Sequence, residues 1–310
     1  MAPHDEPPAP AAVAPRRLVT LVRITLTAGI LYLVLGTIDF ARLWALVASA
    51  DLVLLAFAVT YTAVISGTRP LRWLWLLRGV FPLTSYGVAL RSTLFGAAAR
   101  LVVPGKVGEV GRVLAVPGLK PLPGVGLTIL DLLIEVTVAF ALAIPGALIL
   151  GGAMAATAAL FCTAIAALAL FHPHRVLAPL THLPMLHRLR DRVEGVHQVS
   201  RSIGRAALWK GLGLTAGLNV IRFAQLYVIL VALGTVPGTA AVIFFPLIGL
   251  ADGFPLTVGG MGAREWLALK VLPDCGIAPE AAVAAVFFHF AIAALLPGLV
   301  GLWLMHRKGG

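Results

Sequence analysis

Residues 125–171 read VGLTILDLLIEVTVAFALAIPGALILGGAMAATAALFCTAIAALALF, in which Asp131 and Glu135 are the only charged side chains. A bilayer core about 30 Å thick takes roughly 20 apolar residues per helical crossing, so this stretch is long enough for two. Gly151 and Gly152 separate the blocks 125–150 and 153–171 and predict an uncharged turn between them. In lipid a helix satisfies its backbone polar groups within the segment, so the expected fold is all-α.

The rest of the chain agrees. It is 60% hydrophobic and 12% charged with a mean hydropathy of +0.98, against roughly 45–50% apolar and 25% charged residues in soluble domains. Further apolar blocks lie at about 18–36, 52–68, 85–103, 209–233, 240–258 and 279–305, and residues 41–50 read as a short interfacial helix. Residues 1–17 are expected to be a disordered cytoplasmic tail ahead of a single transmembrane domain over 18–310. Arg16 and Arg17 before an apolar run imitate a signal peptide, and Ala48, Ser49 and Ala50 a cleavage site. That triplet lies too far beyond a run that is itself long enough to span, so 18–36 reads as a retained helix.

The net charge of +11 does not point to nucleic acid, because the basic residues lie between apolar blocks instead of on a compact domain. They follow membrane orientation. Arg16, Arg17 and Arg23 place the start inside; Arg69, Arg72 and Arg78 place the second loop inside; Arg307 and Lys308 place the end inside. The polar segment 172–208, with Arg175, Arg188, Arg190, Arg192, Arg201 and Arg205, is expected in the cytoplasm, and the turns at 151–152 and 234–239 outside. Residues 85–120 must then enter and return from the cytoplasm, and 240–272 from outside. The expected architecture is about six spanning helices plus two re-entrant hairpins, divided into inverted halves 18–150 and 153–305. Inverted repeats with broken helices near the midplane are the architecture of secondary transporters.

The first hairpin carries Arg91, Arg100 and the run Pro104-Gly105-Lys106-Val107-Gly108-Glu109-Val110-Gly111-Arg112. Proline and close-set glycines break a helix and turn backbone N–H groups toward a ligand, while the cations neutralise an anion. Glu109 and Arg112, three apart, are placed to pair on one helix face. The second hairpin repeats the chemistry in Pro255-Leu256-Thr257-Val258-Gly259-Gly260-Met261-Gly262-Ala263-Arg264-Glu265. A glycine-rich break before a helix start favours negative charge. Tight helix packing is the other reading of the glycines, but packing alone does not need the charges.

These two stretches resemble the flippase-like family that includes the transmembrane part of bacterial lysylphosphatidylglycerol synthases. The resemblance runs from about Leu18 to Met305 and rests on P-G-K-V-G-E-x-x-R at 104–112 and P-x-x-x-G-G-x-G-x-R-E at 255–265. It implies translocation of an anionic or aminoacylated phospholipid, or a related lipid, between leaflets, with both motifs lining the path. The family often has an acidic residue followed by Arg after the first motif; here Asp131 is followed by Leu132, so an ion pair with that neighbour is not expected. Ending at Gly310 without the aminoacyl-transferase domain of the full synthases, the chain is not expected to aminoacylate a lipid by itself.

Asp131 and Glu135 fall on one face of their helix, and a charge at mid-bilayer costs about 2.5–3.5 kcal/mol. Either they relay protons or ions, or they pair structurally with Arg91, Arg100 or Arg222. His172, His174, His182, His187 and His197 are too loosely spaced for a metal site and read as part of a solvated basic loop near anionic headgroups. Cys162 and Cys275 form no metal or disulfide spacing, and lone His289 reads as a packing residue. No catalytic constellation, metal site, cofactor or ATP-binding loop is expected, and the chain is not expected to be an enzyme. The expected headgroup residues are Arg91, Arg100, Gly105, Lys106, Gly108, Glu109, Arg112, Gly259, Gly260, Gly262, Arg264 and Glu265. The expected partner is a membrane lipid, in the inner membrane of a bacterium with both termini cytoplasmic. A non-transporting partner of a separately encoded lipid-biosynthesis enzyme and a membrane-embedded lipid transferase remain the alternatives, and oligomeric state is open.

Overall fold

A computed structural model describes residues 13–102, 105–180, 190–251 and 261–306. Every regular element among them is helical: α1 (Val13–Gly36), α2 (Phe40–Ala48), α3 (Leu52–Arg78), α4 (Tyr86–Val102), a 3₁₀ limb (Gly105–Ala115), α5 (Pro121–Phe171), α6 (Pro173–Leu180), α7 (Arg190–Ser202), α8 (Arg205–Ala232), α9 (Thr239–Ala251), α10 (Ala263–Val271), α11 (Pro279–Phe290) and α12 (Leu296–His306). A π-helical segment, Ala291–Leu295, joins α11 to α12 in one rod. By length and composition, α3, α5, α8 and the rod 279–306 can each cross a membrane. The bent pair of α1 and α2, meeting at 87°, makes a fifth candidate.

At 51 residues α5 is far longer than one crossing requires, and it is interrupted where Gly152 adopts φ 65°. Leu127 and Leu130 before the break share a core cluster with Leu170 after it, so the second arm returns beside the first. This is the uncharged turn that the sequence predicts. Helix α1 begins at Val13, ahead of the apolar run at 18–36. The short helix expected at 41–50 is α2, capped by Asp39, whose carboxylate accepts from the N–H groups of Ala41 and Arg42.

At each predicted hairpin two short helical limbs pack against each other. In the first, α4 and the 3₁₀ limb lie so close that a Cβ on Gly96 would come 3.2 Å from that of Arg112. α4 is then held from outside by α12, where Gly298 and Gly301 leave room for Leu101 and the backbone of Leu94. In the second, α9 and α10 pack against each other in the core built on Phe244, Phe245, Leu230 and Ala285.

Two expectations fail. The second basic loop was placed at Arg69, Arg72 and Arg78, but α3 runs through Pro70 to Arg78. The apolar run Trp73–Leu77 beyond the arginines is buried enough to carry the helix onward. Arg69 and Arg72 thus sit within a helix long and apolar enough to cross a membrane. The segment 172–208 is not simply a solvated loop either: α7 docks on the start of α5 through Val196 and Val199. A Cβ on Gly126 would lie 2.5 Å from the carbonyl oxygen of Gly195, so two glycines admit backbone contact there.

Candidate functional site

The two turns of α3 around Pro70 present Arg69 and Arg72 to the face of α5 that carries Asp131 and Glu135. Arg72 grips Asp131 with two prongs, its Nε on Oδ1 and its Nη2 on Oδ2 at 3.0 Å. The same Nη2 donates to Glu135 Oε1 at 2.7 Å, and Nη1 donates to Thr215 of α8 at 2.7 Å. Arg112, from the 3₁₀ limb, reaches the second oxygen of Asp131 at 2.7 Å. The charges that these three elements bury, each costly alone, are thereby neutralised against one another.

A second junction stands beside the first. Glu109 Oε1 accepts from Arg69 at 3.0 Å and from Arg100 of α4 at 3.1 Å, and Arg69 also donates to Glu135 at 2.9 Å. Arg112 is fixed from its other side: its guanidinium lies 3.8 Å over the Trp73 ring, and its backbone carbonyl accepts from Ser92, which itself accepts from the Trp73 indole N–H. The expected pairing of Glu109 with Arg112 is not what forms. The limb is 3₁₀ instead of α-helical, and each residue takes partners on other elements.

Asp131 and Glu135 are held by Arg69, Arg72 and Arg112. Arg69 and Arg72 stand outside the expected set because their helix continues past Pro70 into the apolar run Trp73–Leu77. The legible signal was the i, i+3 spacing of Arg69 and Arg72 ahead of Trp73–Leu77, a continuation of apolar helix past a proline. Oxygens of Glu109, Asp131 and Glu135 lie within 4.8 Å of one another, a metal-like spacing. Each of these carboxylates already accepts from arginine, so a cation would have to displace guanidinium groups.

Next to this network lies a cavity of about 330 Å³. Arg69 and Arg100 come to it from the first half of the chain, and Arg222, Arg264 and Asn219 from the second, with Glu135 and His289 on the wall. Phe140, Phe223, Phe245 and Phe290 line it together with aliphatic side chains such as Leu226, Ile248 and Leu250. Thr215, Asn219 and Arg222 recur on one face of α8, a polar stripe in an otherwise apolar helix. Arg264 is buried 4.6 Å from the Phe290 ring and 3.5 Å from Glu265. Glu265 Oε2 in turn accepts from the Gly262 N–H at 2.7 Å, capping α10. Gly262 has φ 86° and presses against Ile30 of α1, so a side chain there would be strained and crowded. The π-helical segment supplies Ala293 and Ala294 to the wall, a local widening of the kind that helices carry at functional positions.

Arg100, Glu109, Arg112, Gly262, Arg264 and Glu265 therefore converge on the network or the cavity. Arg91 is exposed on α4 and takes no part in them. Gly105, Lys106 and Gly108 belong to the 3₁₀ limb by backbone, while Gly259 and Gly260 lie outside the described residues.

The fold and this site define a polytopic helical membrane protein with an arginine-lined, aromatic-walled chamber between its helices. The chain belongs to the lysylphosphatidylglycerol synthase TM region family, which it matches over residues 20–301. Comparison with individually curated proteins gave no match.

Proposed function

We propose that this protein is a lipid translocase, carrying an anionic phospholipid or related lipid between the leaflets of a bacterial inner membrane, without being an enzyme. The observation that supports the reading is the composition of the cavity wall: Arg69, Arg100, Arg222 and Arg264 beside Phe140, Phe223, Phe245 and Phe290. Guanidinium groups match phosphate oxygens in a two-pronged geometry, and the aromatic wall suits the glycerol and the first carbons of the chains. At about 330 Å³ the cavity is near the small end of ligand sites, roughly 300–1,000 Å³. It suits a headgroup, with the acyl chains left in the bilayer.

In this reading the two hairpins are re-entrant and belong to inverted halves, with both termini cytoplasmic, and the cavity lies where the halves meet. Exchange of the halves' conformations would open it to each leaflet in turn. The test is purified protein in vesicles containing fluorescent phosphatidylglycerol, with reduction of the dye from outside as the readout. Wild-type protein is expected to make the inner-leaflet pool accessible, and Arg222→Gln and Arg264→Gln to abolish that while still inserting. Vesicles that remain half-protected with wild-type protein would defeat the reading in favour of a non-transporting partner, and a chemically altered lipid would favour a transferase.

A further inference from the structure

The polar stripe of α8 brings to the cavity a side chain whose hydrogen bonding is half used. Asn219 lines the cavity and is half-buried. Its Nδ2 donates to the backbone carbonyl of Thr215 at 2.9 Å. A carbonyl oxygen only accepts, so this bond fixes which end of the amide lies against the helix. The acceptor end, Oδ1, is left to the cavity, and among the described residues nothing donates to it. Its neighbours are committed differently. The Thr215 hydroxyl accepts from Arg72 and donates to the Gly211 carbonyl, and Glu135 on the cavity wall accepts from Arg69 and Arg72.

From this arrangement we infer that Asn219 determines headgroup specificity: its Oδ1 accepts a hydrogen bond from a hydroxyl or ammonium that the headgroup carries beyond its phosphate. This rests on the translocase reading and narrows its substrate class to lipids with such a donor. A phosphodiester by itself offers only acceptor oxygens, which suit arginine but leave an acceptor in the wall unanswered. Asn219 and Arg222 are three residues apart on one face of α8, a spacing that sets Cβ atoms about 5–6 Å from each other. A phosphate held by Arg222 therefore brings the far end of a short alcohol ester within reach of Asn219. A headgroup without a donor displaces water from Oδ1 and leaves it unpaired, which weakens binding, whereas a headgroup with one replaces the bond that the water made. Phe140 and Phe223 on the same wall offer no substitute partner.

The test is binding to the purified protein in detergent with two matched pairs of dioctanoyl lipids. Phosphatidylglycerol and phosphatidylpropanol carry the same charge and headgroup carbon skeleton, and only the first has headgroup hydroxyls. Phosphatidylethanolamine and phosphatidylcholine are both zwitterions, and only the first has ammonium N–H groups. The wild-type protein is expected to favour the donor-bearing lipid of at least one pair by about fivefold or more, the scale of one net hydrogen bond. The pair that shows the gap identifies the donor as hydroxyl or ammonium. Asn219→Leu, close in size but without the acceptor, should close that gap, and Asn219→Ser, whose hydroxyl keeps an acceptor oxygen, should retain part of it. A thermal transition in detergent like that of the wild type shows that the variants are folded. Equal affinities within both pairs, or a gap that persists undiminished in Asn219→Leu, would overturn the inference. The result is separable from translocation: donor discrimination without movement across vesicles defeats the transport reading alone, and movement of lipid by a protein that binds both members of each pair equally defeats this inference alone.

Discussion

Arg72 of α3 and Asp131 of α5 form a two-pronged ion pair at 2% and 1% exposure, and Asp131 is shared with Arg112 of the first hairpin. The pair thus fastens a spanning helix, the start of the long helical arm and a broken-helix limb at one point. Burying such a pair confers little net stability, but removing one partner strands the others. Asp131→Ala is expected to cost about 3–5 kcal/mol, read from denaturant titration in detergent. Combining Arg72→Met with Asp131→Leu should cost less than the two single losses summed, because the double variant strands fewer charges. Additive losses would mean that the two residues are not energetically linked.

Glu109 holds Arg69 and Arg100 at once, and both arginines line the cavity. Glu109→Gln keeps an oxygen for one of them and deletes a negative charge behind the wall. Stability should fall by about 1–3 kcal/mol, the cost of weakening a buried charged hydrogen bond. Phosphatidylglycerol affinity should nonetheless hold or rise, since the wall becomes more cationic. A fall in affinity matching the fall in stability would reduce Glu109 to a structural brace.

Much of this architecture was legible before any coordinates. The break at Gly152 and the short packed limbs α4 with the 3₁₀ limb and α9 with α10 follow from block length and glycine placement. Arg69 and Arg72 were misplaced because charge parity treats every arginine beside an apolar block as a loop residue. Whether an arginine is tolerated inside a helix depends on acids elsewhere in the chain, here Asp131 and Glu135 about 60 residues away. The partners of Asp131 were missed for the same reason. Sequence spacing suggests i, i+3 pairs such as Glu109 with Arg112, while the 3₁₀ geometry of that limb turns the two side chains to different helices. The docking of α7 was hidden because a segment dense in arginine masks the small apolar face of Val196 and Val199.

Gly301 of α12 meets the backbone of α4 so closely that a Cβ would fall 2.2 Å from the carbonyl oxygen of Leu94. Backbone cannot yield as a side-chain tip does, so α4 itself must shift. Gly301→Ala is expected to destabilise the protein by about 1–3 kcal/mol, the usual range for overpacking, and to move Arg100 from Glu109. A lowered Tm with lost phosphatidylglycerol binding would show that the α12 face positions the hairpin. An unchanged Tm would show that the contact is slack.

Cys275 and Cys162 offer a direct test of sidedness, because they occupy different environments. Cys162 lies within the second arm of α5, beside the exposed apolar side chains of Leu160, Phe161 and Ile165, while Cys275 lies in the turn between α10 and α11 that is proposed to face outward. A membrane-impermeant maleimide added to intact spheroplasts should therefore label Cys275 and spare Cys162. Burial, with the charge of Asp274 beside it, pushes the Cys275 thiol above its usual range, so less of it is thiolate at neutral pH. Only the thiolate reacts, and labelling should accelerate as pH is raised through the alkaline range. Labelling of Cys275 only after the cells are lysed would invert the orientation, placing the turn at Cys275 inside and the turn after Arg78 outside.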